Sequence, residues 1–136
     1  MDASLLDTDI LTEVFKLRNQ TVAAHAAAYL QQHGQLATSA MTWFEVIRGV
    51  RHKRASKLLM RFELLCAQML IIPISGDVLD ATADLWVDAR DGGQPQRDAD
   101  LIIAATALLH NRTLVTGNTP HFQWMRGLSI TNWRVR

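Results

Sequence analysis

Apolar and polar positions along this chain follow two rhythms, short apolar runs and longer stretches with helical spacing. Ser4 to Leu6 is such a run and predicts a strand. Directly after it, Ile10, Leu11, Val14 and Leu17 recur at the spacing of one helix face. A polar turn therefore joins strand to helix, with Thr8 or Asp9 available as the cap. The stretch TVAAHAAAYLQQH predicts a second helix stopped by Gly34, and QLATS a second short strand. From Ala40, Trp43, Val46, Ile47 and Val50 mark the buried face of a third helix. A basic turn then leads into a fourth, from about Ala55 to Gln68.

MLIIPI reads as a strand ended by Pro73. Asp77 to Arg90 reads as a helix, with Val78, Ala81, Leu85 and Ala89 on one side and aspartates on the other. DGGQPQ is the clearest loop. Beyond it, DADLIIAATALLHN is a helix apolar nearly all round, which predicts burial. TLVTGN is a strand leaving a turn, and LSITNW supplies an edge strand. Strands alternating with helices predict an α/β/α sandwich around a mostly parallel sheet of roughly four or five strands. Ligands of such sheets collect beyond the carboxyl ends of the strands. Neither repeat nor linker interrupts the 136 residues, and the expectation is one domain over 1–136.

Composition adds limits. With 49% hydrophobic and 20% charged residues the chain is globular rather than disordered. A formal net charge of +1 offers no global attraction to nucleic acid or membrane, so any such contact must be local. Arg48, Arg51, Lys53, Arg54, Lys57 and Arg61 form one basic patch, with His52 among them. Asp77, Asp80, Asp84, Asp88 and Asp91 form an acidic stripe, and the plain reading of both is a solvated helix face. Cys66 stands alone, which excludes an internal disulfide and fits a buried thiol in a reducing cytoplasm. The start MDASLL lacks a basic leader, and LLCAQMLIIPI falls short of the about 20 residues a bilayer requires. The expectation is a cytoplasmic protein with no membrane association.

Several acids fall where a parallel sheet builds its site. Asp7 lies just past the carboxyl end of the first strand. Glu45 lies off the buried stripe of its helix with Met41, Arg48 and Gly49, and its plain alternative is an exposed pair with Arg48. Asp98 and Asp100 both open the buried helix, about 200° apart around its axis, so they cannot aim at one point. Burial of LIIAATAL places Asp100 at the inner edge and makes Asp98 the better cap. Thr116 and Asn118 follow another strand. Oxygen groups gathered at one rim suit Mg²⁺ or Mn²⁺. The five histidines, at 25, 33, 52, 110 and 121, show no paired spacing, and zinc is not expected.

LLDTDIL, SAMTWFEVIRG, GQPQRDADLIIAATAL and LVTGNTPHF resemble, in order and spacing, the four signature stretches of PIN-domain ribonucleases, especially the VapC toxins of bacterial toxin–antitoxin pairs. The resemblance covers almost the whole chain, including GLSITNW. It implies a catalytic, metal-binding triad of Asp7, Glu45 and Asp100, with Asn118 as a fourth metal position and Thr116 beside it. Ser39 matches the small hydroxyl residue before the family's helix, Gly49 its glycine after the glutamate, and Asp9 a supporting position. It further implies a Mg²⁺- or Mn²⁺-dependent endoribonuclease that cuts tRNA, rRNA or mRNA and so arrests translation and growth. The implied assembly is a homodimer neutralised by a small VapB-like antitoxin, as a heterotetramer or larger complex. Arg48, Arg51, Lys53 and Arg54 would then carry RNA phosphates. Trp43, Trp86, Trp124 and Trp133 are candidates for interfaces or for plain core packing.

Three departures stand out. Arg97 and Asp98 replace the Gly-Pro that relatives often carry before the third aspartate, and Asp98 would add charge near the metal. His121 replaces an acidic residue before Phe122, and Asn118 is uncharged where some relatives have aspartate. Two other readings are a catalytically inert partner- or RNA-binding module of the same fold, and a haloacid-dehalogenase-type phosphatase. In the second, Asp7 would be the nucleophile, Asp9 the acid/base and Thr116 the later hydroxyl. That reading leaves Glu45 and Asp100 unexplained, and too little chain follows Thr116 for the family's remaining groups.

Overall fold

The computed structural model describes residues 2–136. Its elements run β1 (Ser4–Leu6), α1 (Thr8–Lys16), α2 (Gln20–His33), β2 (Ala37–Ser39), α3 (Ala40–His52) and α4 (Ser56–Cys66), followed by β3 (Leu70–Ile72), α5 (Gly76–Asp91), α6 (Asp98–Leu109), β4 (Thr113–Val115), α7 (Thr119–Phe122) and β5 (Ile130–Thr131). The five strands form one sheet in the order β3-β2-β1-β4-β5, and every neighbouring pair is parallel. Leu6 pairs with Thr38 on one side and Val115 on the other, while Ser39 pairs with Ile72. This register brings the carboxyl ends of the central strands to a common rim.

The pleat divides the core. Leu5 and Leu6 are neighbours in sequence but point to opposite faces, as do Leu114 and Val115. Leu6 and Val115 join Ile10, Phe15, Tyr29, Val46 and Phe62 under α1 to α4. Leu5 and Leu114 join Val78, Leu101, Ile103 and Phe122 under α5, α6 and α7. The central strands β1, β2 and β4 are covered on both faces, which is why Leu5-Leu6 and Leu114-Val115 read as apolar pairs rather than as an alternation.

Local signals set most boundaries. Asn19 caps α2 by accepting from the Val22 amide, and Gly34 ends it at φ 77°. Ser75 caps α5 in the same way through Val78. Among the described residues no helix is long and apolar enough to cross a membrane.

Some expectations need correction. Asp98 does not cap α6: Arg97 holds the cap position, no side chain bonds the free amides there, and Asp98 is exposed. Cys66 is half-buried rather than buried, packed at the edge of the α1–α4 core. On α3, Thr42 takes the fully buried place and Trp43 is half-buried. Of the other tryptophans Trp133 is core, whereas Trp86 is exposed beneath the Arg90 guanidinium, 4.5 Å from the ring centre. Helix α7 has four residues, too few to leave a periodic trace.

Candidate active site

Asp7 continues the ladder of β1 by one bond, its amide donating to the Val115 carbonyl at 2.9 Å. The main chain then turns into α1. Asp7 Oδ1 accepts from the Thr8 amide at 2.7 Å, so Asp7 itself, and not Thr8 or Asp9, caps α1. Its Oδ2 accepts from the Thr116 hydroxyl at 2.9 Å, and the residue is 7% exposed. Burial is the main reason its pKa is pushed up to about 6, and the charges of Asp9 and, less strongly, Asp100 add to it. The bonds from Thr8 and Thr116 pull the other way.

Glu45 arrives from α3. Its pairing with Arg48 is present at 3.7 Å, yet the Glu45 side chain is 8% exposed against 55% for Arg48. Glu45 therefore faces inward rather than onto a solvated face. The Thr8 hydroxyl donates to its Oε1 at 2.9 Å. Asp100 arrives from the first turn of α6 and is gripped by Arg97, with Nη2 on Oδ1 at 3.0 Å and Nε on Oδ2 at 3.3 Å. The same guanidinium reaches Glu45 Oε2 at 3.6 Å, and His121 Nδ1 lies 3.8 Å from Asp100 Oδ2. The hydrogen bonds and charge of Asp100 hold the Arg97 pKa above its already high ordinary value.

Asp7, Thr8, Asp9, Glu45, Arg97, Asp100, Asn118 and His121 line one cleft of about 390 Å³ at the strand rim. Asp9 is the brace beside it. Its Oδ1 accepts from the Ile10 amide at 2.8 Å and its Oδ2 from the Gly117 amide at 3.0 Å, with Arg134 Nη1 at 3.6 Å. Burial raises its pKa, while the Gly117 amide, Arg134 and the Ile10 amide oppose the rise. Thr116 is fully buried, and its hydroxyl oxygen also accepts from the Asn118 amide at 3.0 Å, which fixes the turn that carries Asn118.

Of the expected supporting residues, Ser39, Thr116 and Asp98 lie outside the cleft lining. Ser39 is fully buried and caps α3 by accepting from the Thr42 amide at 3.0 Å, while Asp98 faces solvent. Arg51, Lys53 and Arg54 are exposed at the α3–α4 turn. Lys53 borders an apolar groove of about 210 Å³ that shares Thr8 and Glu45 with the cleft. Thr8, Arg97 and His121 line the cleft although the sequence assigns none of them a place in the site and offers Thr8 only as a helix cap. Thr8 carried a signal, a hydroxyl one position beyond a strand end. Arg97 carried only its nearness to Asp100.

Carboxylates, an amide and hydroxyls are the hard oxygen donors that Mg²⁺ and Mn²⁺ prefer, so the cleft fits such an ion in donor type and charge. The carboxylates are not drawn into a ready cage: among the described residues no three acidic, histidine or cysteine side chains converge closely enough to hold a metal. Arg97 spans two of them instead.

Residues 4–123, from the first strand through α7, match the PIN domain family. The chain belongs to that family. Ribonuclease VapC1 of Methanocaldococcus jannaschii is 30% identical over 128 residues, covering 93% of this chain and 85% of its own. VapBC2 from Rickettsia felis, solved bound to a promoter DNA fragment, superposes with a TM-score of 0.88 at 22% identity and covers 96% of this chain and 98% of that one. A toxin–antitoxin complex from Klebsiella pneumoniae gives a TM-score of 0.77 at 27% identity, with 96% and 98% covered. PIN membership removes the phosphatase reading.

Proposed function

We propose that this protein is an endoribonuclease, the VapC-type toxin of a toxin–antitoxin pair, and that Asp7, Glu45 and Asp100 are its catalytic carboxylates. The convergence of these three, from a strand end and two helices far apart in sequence, on one cleft is the observation that carries the reading. Kinship with a ribonuclease supports it. Asp7, Glu45, Asp100 and Asn118 would hold Mg²⁺ or Mn²⁺, which when bound supplies an activated water and stabilises charge on the attacking and leaving oxygens of a phosphodiester.

The remaining work falls to the chain. Thr8 and Thr116 orient Glu45 and Asp7 through their hydroxyls. Asp9 and Gly117 tie the turn carrying Asn118 to α1. Unpaired RNA, tRNA or rRNA loops included, presents its phosphates and bases to a cleft of this size. Arg48, Arg51, Lys53 and Arg54 extend a basic margin from Glu45 along the α3–α4 turn to hold the flanking backbone.

A small antitoxin and a second copy of the chain are the proposed partners. Apolar side chains left on the surface support assembly, Met60 and Leu64 on α4 and Leu79, Trp86 and Val87 on α5. The direct test incubates the purified protein with total RNA and Mg²⁺ or Mn²⁺, beside Asp7→Ala and Asp100→Ala. Cleavage is expected from the wild type alone. Cleavage by both variants overturns the proposal, and a wild type that neither cleaves nor binds Mn²⁺ favours an inert member of the family.

A further inference from the structure

Arg97 lies on the surface side of the cleft with 65% of its side chain exposed, yet its guanidinium engages both oxygens of Asp100 and approaches Glu45. A cation coordinated by Asp100 needs one of those oxygens. Each oxygen has a second lone pair, but a divalent ion and a guanidinium on one carboxylate repel each other and share its single charge, so the two compete for it. Among the residues lining the cleft, Arg97 is the one with a permanent positive charge, set against four carboxylates at positions 7, 9, 45 and 100. A phosphodiester entering such a cleft is repelled unless cations meet it. Arginine is suited to this because its planar fork binds phosphate oxygens as it binds a carboxylate, through two parallel N–H bonds.

We infer that Arg97 is a switching side chain. It is an internal counter-ion that a divalent cation must displace from Asp100, and once displaced it contacts the RNA phosphate at the reaction centre. The inference rests on the proposed nuclease activity and adds a residue to it. No covalent step is assigned to Arg97. Its two positions differ by rotation of a long, mostly exposed side chain, while the backbone stays at the α6 cap.

The test uses the full chain as wild type, Arg97→Gln and Arg97→Lys, with melting in EDTA to verify folding. Calorimetric titration with Mn²⁺ alone is expected to show Arg97→Gln binding about three- to tenfold tighter, the range for losing one partly exposed charge-assisted contact. At saturating Mn²⁺ the same variant is expected to lose about tenfold in kcat/KM on an RNA the wild type cuts, with Lys restoring part of the loss. Equal Mn²⁺ affinity in wild type and Arg97→Gln overturns the competition, and equal kcat/KM at saturating metal overturns the phosphate contact. A wild type that binds no Mn²⁺ and cuts no RNA brings down the nuclease reading itself, an outcome distinct from both.

Discussion

The hydroxyl of Thr116 donates to Asp7 Oδ2 at 2.9 Å across 109 positions of sequence, joining the ends of β4 and β1 inside the protein. The same oxygen accepts from the Asn118 amide. One side chain therefore sets both the orientation of the first carboxylate and the path of the turn beyond it. Thr116→Val keeps the shape and deletes both bonds. Cleavage is expected to fall about ten- to a hundredfold, the usual effect of removing a group that orients a metal-site carboxylate. Stability should fall by about 1–3 kcal/mol, because a part-buried amide and a buried carboxylate each lose a partner. Kinetics and urea unfolding on one preparation measure the two effects. Undiminished cleavage would show that Asp7 is held without Thr116.

Asp7 also ties function to stability. Its carboxyl has a pKa of about 6 in the folded chain against 3.8 for an unperturbed aspartate. Between those values the folded protein binds more protons than the unfolded one, so stability is lost as pH rises through the window. Asp7→Asn removes that loss. In EDTA at pH 7 the variant is expected to be about 1–3 kcal/mol more stable than wild type, with the gain fading toward pH 4. Urea midpoints at both pH values decide it, and a difference that does not change with pH contradicts the assignment.

Much of this arrangement could be read from the residues alone. The strands β1 and β4 show in the sequence because both sheet faces are covered there, so Leu5-Leu6 and Leu114-Val115 are paired apolar residues rather than an alternation. Asp7 and Asp100 stand out in the sequence because each is a charge set against an apolar run, whereas Glu45 lies off the buried stripe of its helix and enters only through the family resemblance. Contacts between side chains distant in sequence were harder to see. The choice of Asp98 as cap followed a sound preference for aspartate at helix starts, but the backbone at Arg97 already occupies that place, and the Arg97 side chain turns back to Asp100. Asp7 was set apart from the capping role, whereas its two oxygens serve the cap and the rim together. Nothing in a linear pattern reports that Arg97 folds over Glu45, or that Arg134 near the carboxyl end reaches Glu13 and Asp9.

The correction at Asp98 can be measured. Asp98 is exposed and makes no capping bond, so Asp98→Ala is expected to change stability by no more than about 0.5 kcal/mol and to leave cleavage unaltered. Ser39→Ala is the contrast, since Ser39 caps α3 from a fully buried position and should cost about 0.5–2 kcal/mol. Loss of cleavage in Asp98→Ala at an unchanged melting temperature would return Asp98 to the site.

Gly117 tests the brace from the opposite side. A Cβ at this position would run into the Arg134 guanidinium and come within 2.7 Å of Asp9 Oδ2, the atom that accepts from the Gly117 amide. Arg134 can yield because it is a long side chain, but yielding separates it from Asp9 and from Glu13, to which its Nε donates at 3.1 Å. Gly117→Ala is therefore expected to cost about 1–3 kcal/mol and to loosen the turn that carries Asn118. Arg134→Gln removes most of the obstacle in advance. The two changes should then be non-additive: once Arg134 is shortened, adding Ala at position 117 should cost at least about 0.5 kcal/mol less than it does in the wild type. Unfolding of both single variants and the double variant closes that cycle. Strict additivity would mean that the methyl group is accommodated without moving Arg134, and that Asp9 rather than the arginine sets the limit at this turn.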